Sequence, residues 1–387
     1  MKERRKRNLG RIWYGHNMEW RDPAQVVGQW KEASHVAPGL IAYSIRGKWW
    51  DILAENKITL LVTREYEHLA MAMRADSKGG SISYIRLAHP SGLAVDRDKN
   101  IIYLASTRNP NQIYDFLPAK SGIPVLLPHR SRFFPGNLYI HDLALIKNTL
   151  FANAVGHNSV IRILDHGNFL PVWWPKCMEQ AGKAAFSRNY IQLNSIACGN
   201  SLRNSFFSAS ADTISRIRPG QKNFPVDKRG VIFSGATREP VVRQLTRPHS
   251  ARLYHKELWV NNSGYGEFGI ADTKKGTFSP LRRFSGWTRG LCFYKNIAFV
   301  GTSRVIPRFR QYAPGVDMNK SECAVHAIEI KSGKILASLV WPQGNQIFAL
   351  DWIKSGITTG FPFFAFDSKT AKKQKELFYN FKIGGNA

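Results

Sequence analysis

The sequence has little cysteine and few acidic residues. Its 387 residues include four cysteines, and 27 Asp and Glu stand against 55 Lys and Arg. The cysteines are far apart and form no CxxC pair, so we expect free thiols in a reducing compartment. No apolar run approaches the roughly 20 residues that a membrane span needs, and the basic N-terminus lacks the apolar stretch of a secretory signal. The predicted location is therefore the cytoplasm.

Common catalytic motifs are also missing from the chain. There is no P-loop, no GxGxxG before a helix, no GxSxG and no HExxH. The formal net charge of +28 favours an anionic ligand or partner of some kind. The charge does not exclude nucleic acid, but no nucleic-acid-binding motif supports it. Composition thus indicates that the partner is negatively charged, but it does not indicate a particular reaction.

A unit of two short strands joined by a polar turn recurs along the chain. The longest copy, PHSARLYHKELWVNNSGYGEFG, turns at His255-Lys256 and ends in a Gly-rich segment. The copies start about 40 to 60 residues apart, which is the length of a four-stranded propeller blade. Their first residues are Ser91, His141, Asn194, His249, Arg289 and Ile347, with Gln346 as the alternative start of the last copy.

We therefore predict an all-β protein with a single six-bladed β-propeller. The strands within residues 58–88 lack a first strand and the C-terminal copy lacks successors, so the two chain ends should close one blade together and leave no open sheet edge. A seventh blade, headed by ILAENKITLLVT from Ile52, is the alternative. The predicted domains are a basic arm (1–45), the propeller (46–365) and a basic tail (366–387).

The residues that start the copies should meet around the axis, because the first strand of each blade surrounds the central channel. Five of the six are polar, which predicts a hydrated pocket with a ligand. In the structural alternative, such side chains tie neighbouring blades by hydrogen bonds. The turns after the second strands add an outer layer of polar residues, from which Asn262, Glu267 and Arg304 are site candidates.

Two hypotheses for the site stay open. In the first, His141 and His249 bind a divalent metal such as Fe(II), Mn(II) or Zn(II) together with Glu267, or with His89 or His157 as the third ligand. In the second, Arg289 and Arg304 hold an anionic group by forked hydrogen bonds, and a histidine acts as acid or base. Arg289 argues against the metal, because a guanidinium beside a dication is electrostatically unfavourable.

The predicted function is to bind and transform a small or peptide-like anionic substrate in the axial pocket, with a divalent metal as cofactor in the first hypothesis. The alternative is a non-catalytic scaffold whose basic surface binds an acidic protein or a polyanion. The candidates are His141, His249 and Glu267 for catalysis, and Arg289, Arg304, Asn194 and Asn262 for substrate binding.

Five stretches resemble a bacterial family of conserved hypothetical proteins. They are HDLAL at 141–145, LNSIA at 193–197, PHSARLYHKELWVNNSGYGEFG at 248–269, RGLCF at 289–293 and SRVIPR at 303–308. The resemblance implies a propeller-like fold and no particular activity. It also implies a shared polar constellation of His141, Asn194, His249, Glu267, Arg289 and Arg304.

Overall fold

The computed structural model describes residues 32–364, apart from 78, 108–110, 121, 181–182 and 185, together with residues 371–374 and 378. Most of the predicted arm and tail therefore lies outside the described residues. Helices are short in this part of the chain, and none is long and apolar enough to cross a membrane. They are α1 (Pro38–Ile41), α2 (Trp49–Asn56) and the 3₁₀ turns Glu32–Ser34, Val155–His157, Lys176–Met178, Leu202–Asn204, Ser263–Tyr265, Pro307–Tyr312 and Met318–Lys320.

Strands make up most of the described chain. In chain order they are β1 (Ser44–Gly47), β2 (Ile58–Arg64), β3 (Leu69–Asp76), β4 (Gly79–Arg86), β5 (Pro90–Asp96), β6 (Ile101–Ser106), β7 (Asn111–Pro118), β8 (Leu126–Phe134), β9 (Ile140–Ile146), β10 (Thr149–Ala154), β11 (Ser159–Ile163), β12 (Phe169–Trp173), β13 (Glu179–Gln180), β14 (Lys183–Ala184), β15 (Leu193–Ala197), β16 (Phe206–Ala209), β17 (Gly230–Ser234), β18 (Pro240–Leu245), β19 (Pro248–Tyr254), β20 (Glu257–Asn262), β21 (Glu267–Asp272), β22 (Thr277–Arg283), β23 (Trp287–Tyr294), β24 (Ile297–Ser303), β25 (Cys323–Glu329), β26 (Ile335–Trp341), β27 (Ala349–Lys354) and β28 (Phe363–Phe364).

Six antiparallel sheets form the blades. Blade one has the strand order β27-β2-β3-β4-β28, and blade six has the order β23-β24-β25-β26-β1. Blades two to five are four-stranded and consecutive in sequence: β5–β8, β9–β12, β15–β18 and β19–β22. The strands β27, β5, β9, β15, β19 and β23 contact one another in that order around the axis. The prediction of a six-bladed β-propeller is confirmed.

Blade one is closed by both ends of the chain, as predicted. The C-terminal strand β27 supplies its innermost position and pairs with β2 from Ile58–Lys354 to Thr63–Ala349. The predicted alternative of a seventh blade starting at Ile52 is wrong. Residues 52–56 belong to helix α2, and the strand that follows is the second strand of blade one.

Tight turns set the registers of the inner hairpins. Between β19 and β20, His255 and Lys256 have φ of 51° and 67°, and Lys147 and Asn148 have φ of 48° and 61° between β9 and β10. Two consecutive positive φ angles are typical of the type I′ turn, whose twist matches that of antiparallel strands. The polar turns of the repeat thus fix which residues of each first strand face the neighbouring blades.

The hydrophobic core lies between adjacent blades. Leu143 and Ala152 of blade three pack with Ala105 and Ile113 of blade two in one such cluster. Four further clusters fill the other five interfaces in the same way, since one of them reaches from blade six through blade one to blade two. A blade is apolar on both faces, so it is stable only between two neighbours. The four cysteines are free thiols, as predicted, and two of them are buried in these interfaces.

The described end of the predicted arm packs on the propeller. Ala33 and Ile41 are buried in the cluster that joins blades one and six. The fully buried Arg64 of β2 donates to the main-chain oxygen of Leu40 (2.5 Å). Strand β1 then pairs with β26 and extends blade six. The exact boundary at residue 45 stays a prediction.

In each blade, one side chain donates a hydrogen bond to a main-chain oxygen that lies close to the start of the innermost strand of the next blade. These bonds run around the whole ring and join all six blades near the axis. In order they are Thr63 Oγ1 to Ser91 (2.6 Å), Ser91 Oγ to Ile140 (2.9 Å), Asn153 Nδ2 to Leu193 (2.8 Å), Asn194 Nδ2 to Pro248 (2.9 Å), Ser263 Oγ to Thr288 (2.6 Å) and Ser303 Oγ to Ile347 (3.2 Å).

Candidate functional site

Backbone irregularities mark the ring positions at the start of the innermost strands. Register shifts occur there in β5, β15, β19 and β23, and a bulge of this kind redirects a side chain. In β23, Gly290 has φ of 82°, a conformation that glycine adopts without strain. Its N–H donates to Ser250 Oγ (2.9 Å), which holds the first strands of blades five and six side by side. His249 and Arg289, the neighbours of these two residues, are therefore held close to each other.

His249 is a buried, neutral imidazole with a defined tautomer. Its Nδ1 lies 2.7 Å from the main-chain oxygen of Arg247 and 3.1 Å from Ser263 Oγ. A carbonyl oxygen accepts only, so Nδ1 carries the proton and Nε2 carries the lone pair. Burial, then the charges of Arg289 and Arg247, hold the pKa of His249 well below its usual value. Nε2 is thus a basic nitrogen in a buried place.

His141 lies in the same part of the molecule as His249. It is one of the groups that act on the pKa of His249, after burial and the two arginines. Its ring is in edge contact with Tyr139 (4.6 Å between ring centroids) and Phe348 (5.4 Å). The predicted convergence of the two histidines is therefore observed, but aromatic side chains share the axial space with them.

Arg289 lies at the centre of this group. Its guanidinium carbon is 3.4 Å from the centroid of the Phe348 ring. Gln346, with its amide nitrogen turned toward Glu65 Oε2 (3.0 Å), presents its amide oxygen to Arg289 Nη1 at 3.0 Å. Of the two residues proposed to start the last copy, Gln346 is the one that reaches Arg289. The amide separates Arg289 from Glu65, so the two charges do not form a direct ion pair.

A second buried arginine, Arg247, was missed in the sequence. Its Nη1 donates to Gln192 Oε1, and its guanidinium carbon lies 4.3 Å from the centroid of the Tyr312 ring. Burial lowers the pKa of Arg247 to about 10, and Arg289 acts in the same direction. The charge is thus retained at neutral pH.

A repeated backbone feature distinguishes Arg247 in the structure. It precedes the ring residue His249 by two positions, as His89, Tyr139 and Gln192 precede the ring residues of blades two, three and four. All four have φ between 46° and 53°. Non-glycine residues in this left-handed region are uncommon and gather at functional sites. These four residues form an outer layer above the ring.

An insertion in blade six covers this outer layer. The segment between β24 and β25 carries Phe309, whose ring contacts Tyr66 (5.7 Å) and Trp287 (5.6 Å). It also carries Tyr312, which stacks on Arg247 and donates to the main-chain oxygen of Gly220 (3.0 Å). Aromatic rings thus shield the arginines from solvent, which strengthens their interaction with any anion.

Two of the predicted ring residues tie blades together. Ser91 donates to Ile140, and Asn194 donates to Pro248 and to Ser210 Oγ (3.1 Å). The structural alternative thus applies to both side chains. The amide oxygen of Asn194 is different, because it is buried without a hydrogen-bond partner in the described chain.

The remaining candidates form no hydrogen bond with Arg247 or Arg289 among the described residues. Asn262 donates to Glu267 Oε2 (2.8 Å) and accepts from the Thr246 N–H (2.7 Å), so these two residues pair with each other. Arg304 donates to the main-chain oxygen of Pro342, and within the described residues no hydrogen bond links it to Arg289.

The predicted metal ligands are not brought together. In the described part of the chain, no three His, Cys, Asp or Glu side chains are placed to hold a metal ion. Glu267 is engaged by Asn262 instead of joining His141 and His249. Within the residues that the structure describes, the metal hypothesis therefore lacks a ligand set.

Positive charge prevails around the axis. The guanidinium of Arg252 pairs with Asp142 through two hydrogen bonds of 2.7 and 3.0 Å. Arg247 and Arg289 remain, with Glu65 as the carboxylate that acts most strongly on Arg289. Among the described residues, Arg247 and Arg289 thus lie near the carboxylate of Glu65, and the neutral His249 adds no charge. The arrangement suits an anion.

Two grooves on the outer rim lie away from these residues. One, of about 660 Å³, runs between blades five and six and is lined by Arg46, Arg282 and His326. The other, of about 360 Å³, is lined by Arg130 and His166. Their size follows from the gaps between the outer strands of adjacent blades and involves none of the predicted site residues.

Solved structures with a similar fold are propellers of low sequence identity. A chain in the crystal structure of a nidogen/laminin complex is 10% identical with a TM-score of 0.51, over 77% of this chain and 99% of that chain. A protein of unknown function from Bacteroides caccae gives the same four values. A virginiamycin B lyase from Staphylococcus aureus is 12% identical over 77% of this chain and 99% of that chain, with a TM-score of 0.40. These likenesses concern the fold alone.

No curated protein matches the sequence. One family profile does, over residues 47–359, and its description is "Domain of unknown function (DUF4915)". The matched residues run from the end of β1 to just before β28 and so include the six blades and every axial residue described above. The predicted membership of a family without an assigned activity is confirmed, and the chain belongs to the DUF4915 family.

Proposed function

We propose that the axial site binds a small anionic molecule, with Arg247 and Arg289 as the clamp. The observation that carries this proposal is a pair of buried cationic atoms. Arg247 Nε and Arg289 Nη2 have no hydrogen-bond partner among the described residues. A buried charge that is not fully paired is costly, and an anion that accepts from both groups relieves that cost. Arg247 takes the place that Arg304 had in the sequence prediction.

The same geometry supports a chemical step on the bound molecule. His249 Nε2 carries a lone pair, and its Nδ1–H is fixed on the Arg247 carbonyl. A neutral imidazole held in this way acts as a general base toward a donor within hydrogen-bond reach. We assign this role to His249, and we propose that His141, with its rings Tyr139 and Phe348, shapes the pocket beside it.

Thermal unfolding with simple anions tests the clamp. Sulfate, phosphate and acetate are titrated at constant ionic strength, balanced with sodium chloride. We expect wild type to be stabilised by mass action, and Arg289→Gln and Arg247→Gln to bind at least about tenfold more weakly, since each loses a charge-assisted hydrogen bond. Arg289→Lys keeps the charge and should retain part of the affinity.

The control is Arg282→Gln, an exposed arginine on β22. Its response to the anions should equal that of wild type. If all variants are stabilised to the same extent, the anions act on the general surface charge and the axial clamp is rejected.

The second candidate function is a scaffold that binds polyanions, and the net charge of +28 favours it. Retention on a polyanion resin then falls steeply with salt and is the same in His249→Ala as in wild type. Weaker retention of His249→Ala would place the polyanion contact at the axis. For either function the proposed location is the cytoplasm, in keeping with four free thiols.

A further inference from the structure

The axial site offers hydrogen-bond acceptors as well as donors. His249 Nε2 and Asn194 Oδ1 are buried and accept no hydrogen bond from the described protein. Asn194 is oriented by its amide nitrogen, which donates to Pro248 and Ser210, so its oxygen is the atom left over. His249 is oriented by its Nδ1–H. Both acceptors are thus fixed in place by bonds on their opposite sides.

A simple anion satisfies only half of this set. The unprotonated oxygens of a carboxylate or a phosphate ester accept from Arg247 Nε and Arg289 Nη2 but donate nothing to His249 Nε2. Trp287 Nε1, next to His249 at 5.5 Å between ring centroids, adds a further buried donor without a partner in the described residues. A molecule that matches all of these atoms carries an anionic group and a donor hydrogen together.

The positive charge around His249 determines which kind of group can donate a hydrogen bond to its Nε2. Arg247 and Arg289 oppose a proton on His249, because a second positive charge beside them is unfavourable. The same field opposes an ammonium group at that place. A hydroxyl group donates its hydrogen without bringing charge, so it suits this position better than an amine.

We propose that the axial ligand is a hydroxy acid, whose acid group binds Arg247 and Arg289 and whose hydroxyl donates to His249 Nε2. This inference rests on the proposed function and narrows it to one class of small molecule. The acid group is a carboxylate or a phosphate ester. A pair of probes for each acid group, one with and one without the hydroxyl, distinguishes the two.

The test compares ligands that differ by one hydroxyl group. The probes are propionate and lactate, then ethyl phosphate and 2-hydroxyethyl phosphate, with alanine as the amine analogue of lactate. Affinities are measured on the full chain by calorimetry or thermal shift at pH 7.5. In wild type we expect the hydroxylated member of at least one pair to bind about fivefold more tightly, as one added hydrogen bond provides. Alanine should bind more weakly than lactate.

Two variants connect this preference to His249. In His249→Phe, the affinities for the hydroxylated acid and the plain acid should differ by no more than about twofold. This ratio is independent of how tightly the variant binds the plain acid. His249→Gln keeps an acceptor oxygen and should restore part of the preference. A cooperative thermal transition shows that each variant is folded. If one variant is not folded, the affinities of wild type for the two members of each pair still decide whether the hydroxyl group adds to binding.

The outcomes separate this inference from the proposed function. If both members of each pair bind wild type equally and both are lost in Arg289→Gln, the clamp stands and the hydroxyl inference is rejected. If His249→Phe keeps the full preference, the hydroxyl binds elsewhere and the inference is also rejected. If no probe binds wild type, while Arg282→Gln and wild type unfold alike, the anion site itself is rejected.

Discussion

At the scale of single residues, His249 and His326 are two buried histidines whose pKa is lowered by burial first and by neighbouring arginines second. The ring of His326 also lies between two hydroxyl groups. Its Nδ1 is 2.7 Å from Ser338 Oγ and its Nε2 is 3.1 Å from Thr302 Oγ1. Burial lowers the pKa of His326 to about 3, with Arg46 and Arg282 adding to the effect. The protein is therefore sensitive to acid at a place far from the axial site.

The pH dependence of stability tests the state of His326. Because its pKa in the fold is below the unfolded value of about 6.5, the unfolded chain takes up the proton first, and stability is lost as pH falls from about 6.5 toward 3. Between pH 6.5 and 4.5 this single group should cost about 2 to 3 kcal/mol of unfolding free energy. His326→Gln should show a correspondingly smaller loss in urea unfolding measured at several pH values.

The exposed His129 on β8 provides the matched control for this experiment. His129→Gln should follow the wild-type pH dependence. An unchanged slope in His326→Gln would show that its ring takes up a proton as readily in the fold as in the unfolded chain.

At the scale of elements, hydrogen bonds along the axis hold the blades in register. Asn153 illustrates the arrangement: its Oδ1 accepts from the main-chain N–H groups of His141 (3.0 Å) and Asp142, while its Nδ2 donates to Leu193 of the next blade. The same bonds thus join blades three and four and position His141. Polar residues near the axis thus join the blades and orient the proposed site residues, and sequence patterns alone do not separate the two roles.

The closing strand β27 should contribute strongly to stability through its buried face. Ile353 is 1% exposed and packs in the cluster shared by blades one and six. Ile353→Ala should lower the unfolding free energy by about 2 to 5 kcal/mol, because it removes buried apolar surface and leaves a cavity. Its exposed neighbour gives the control, since Lys354→Ala should change stability by no more than about 0.5 kcal/mol. Equal effects in chemical unfolding would mean that the strand is not packed as described.

At the scale of the whole molecule, closure of the ring joins the two ends of the sequence. Blade one needs β27 from the C-terminal part and β2, β3 and β4 from the N-terminal part. Thr63 Oγ1 strengthens this closure by accepting from the Ala349 N–H (3.0 Å). Without β27, blade one exposes the inner edge of β2, and the ring of innermost strands is open.

Truncation tests this closure directly. A chain that ends after Gln346 lacks β27 and should lose its cooperative thermal transition and expose apolar surface to a dye. A chain that ends after Phe364 keeps β27 and β28 and should retain the transition. Native-like melting of the shorter chain would contradict closure by β27.

The sequence by itself determined the repeat, and with it the architecture. Strand alternation and polar turns depend on neighbours within a few residues, so the blade count, the shared blade and the ring position of His249 and Arg289 could be predicted. The burial of Arg247 near the axis could not be predicted, because the direction of a long side chain depends on its backbone φ and on the blades packed beside it.

Only the tertiary structure decided which polar side chains are paired near the axis. It engaged Glu267 with Asn262, tied Asn194 between two blades, and left His249 Nε2, Arg247 Nε and Arg289 Nη2 without a hydrogen-bond partner in the described chain. Burial and hydrogen-bond pairing are properties of residues distant in sequence that meet in space. A pattern along one chain records which polar groups are present, whereas the packing of six blades determines which of them remain available to a ligand.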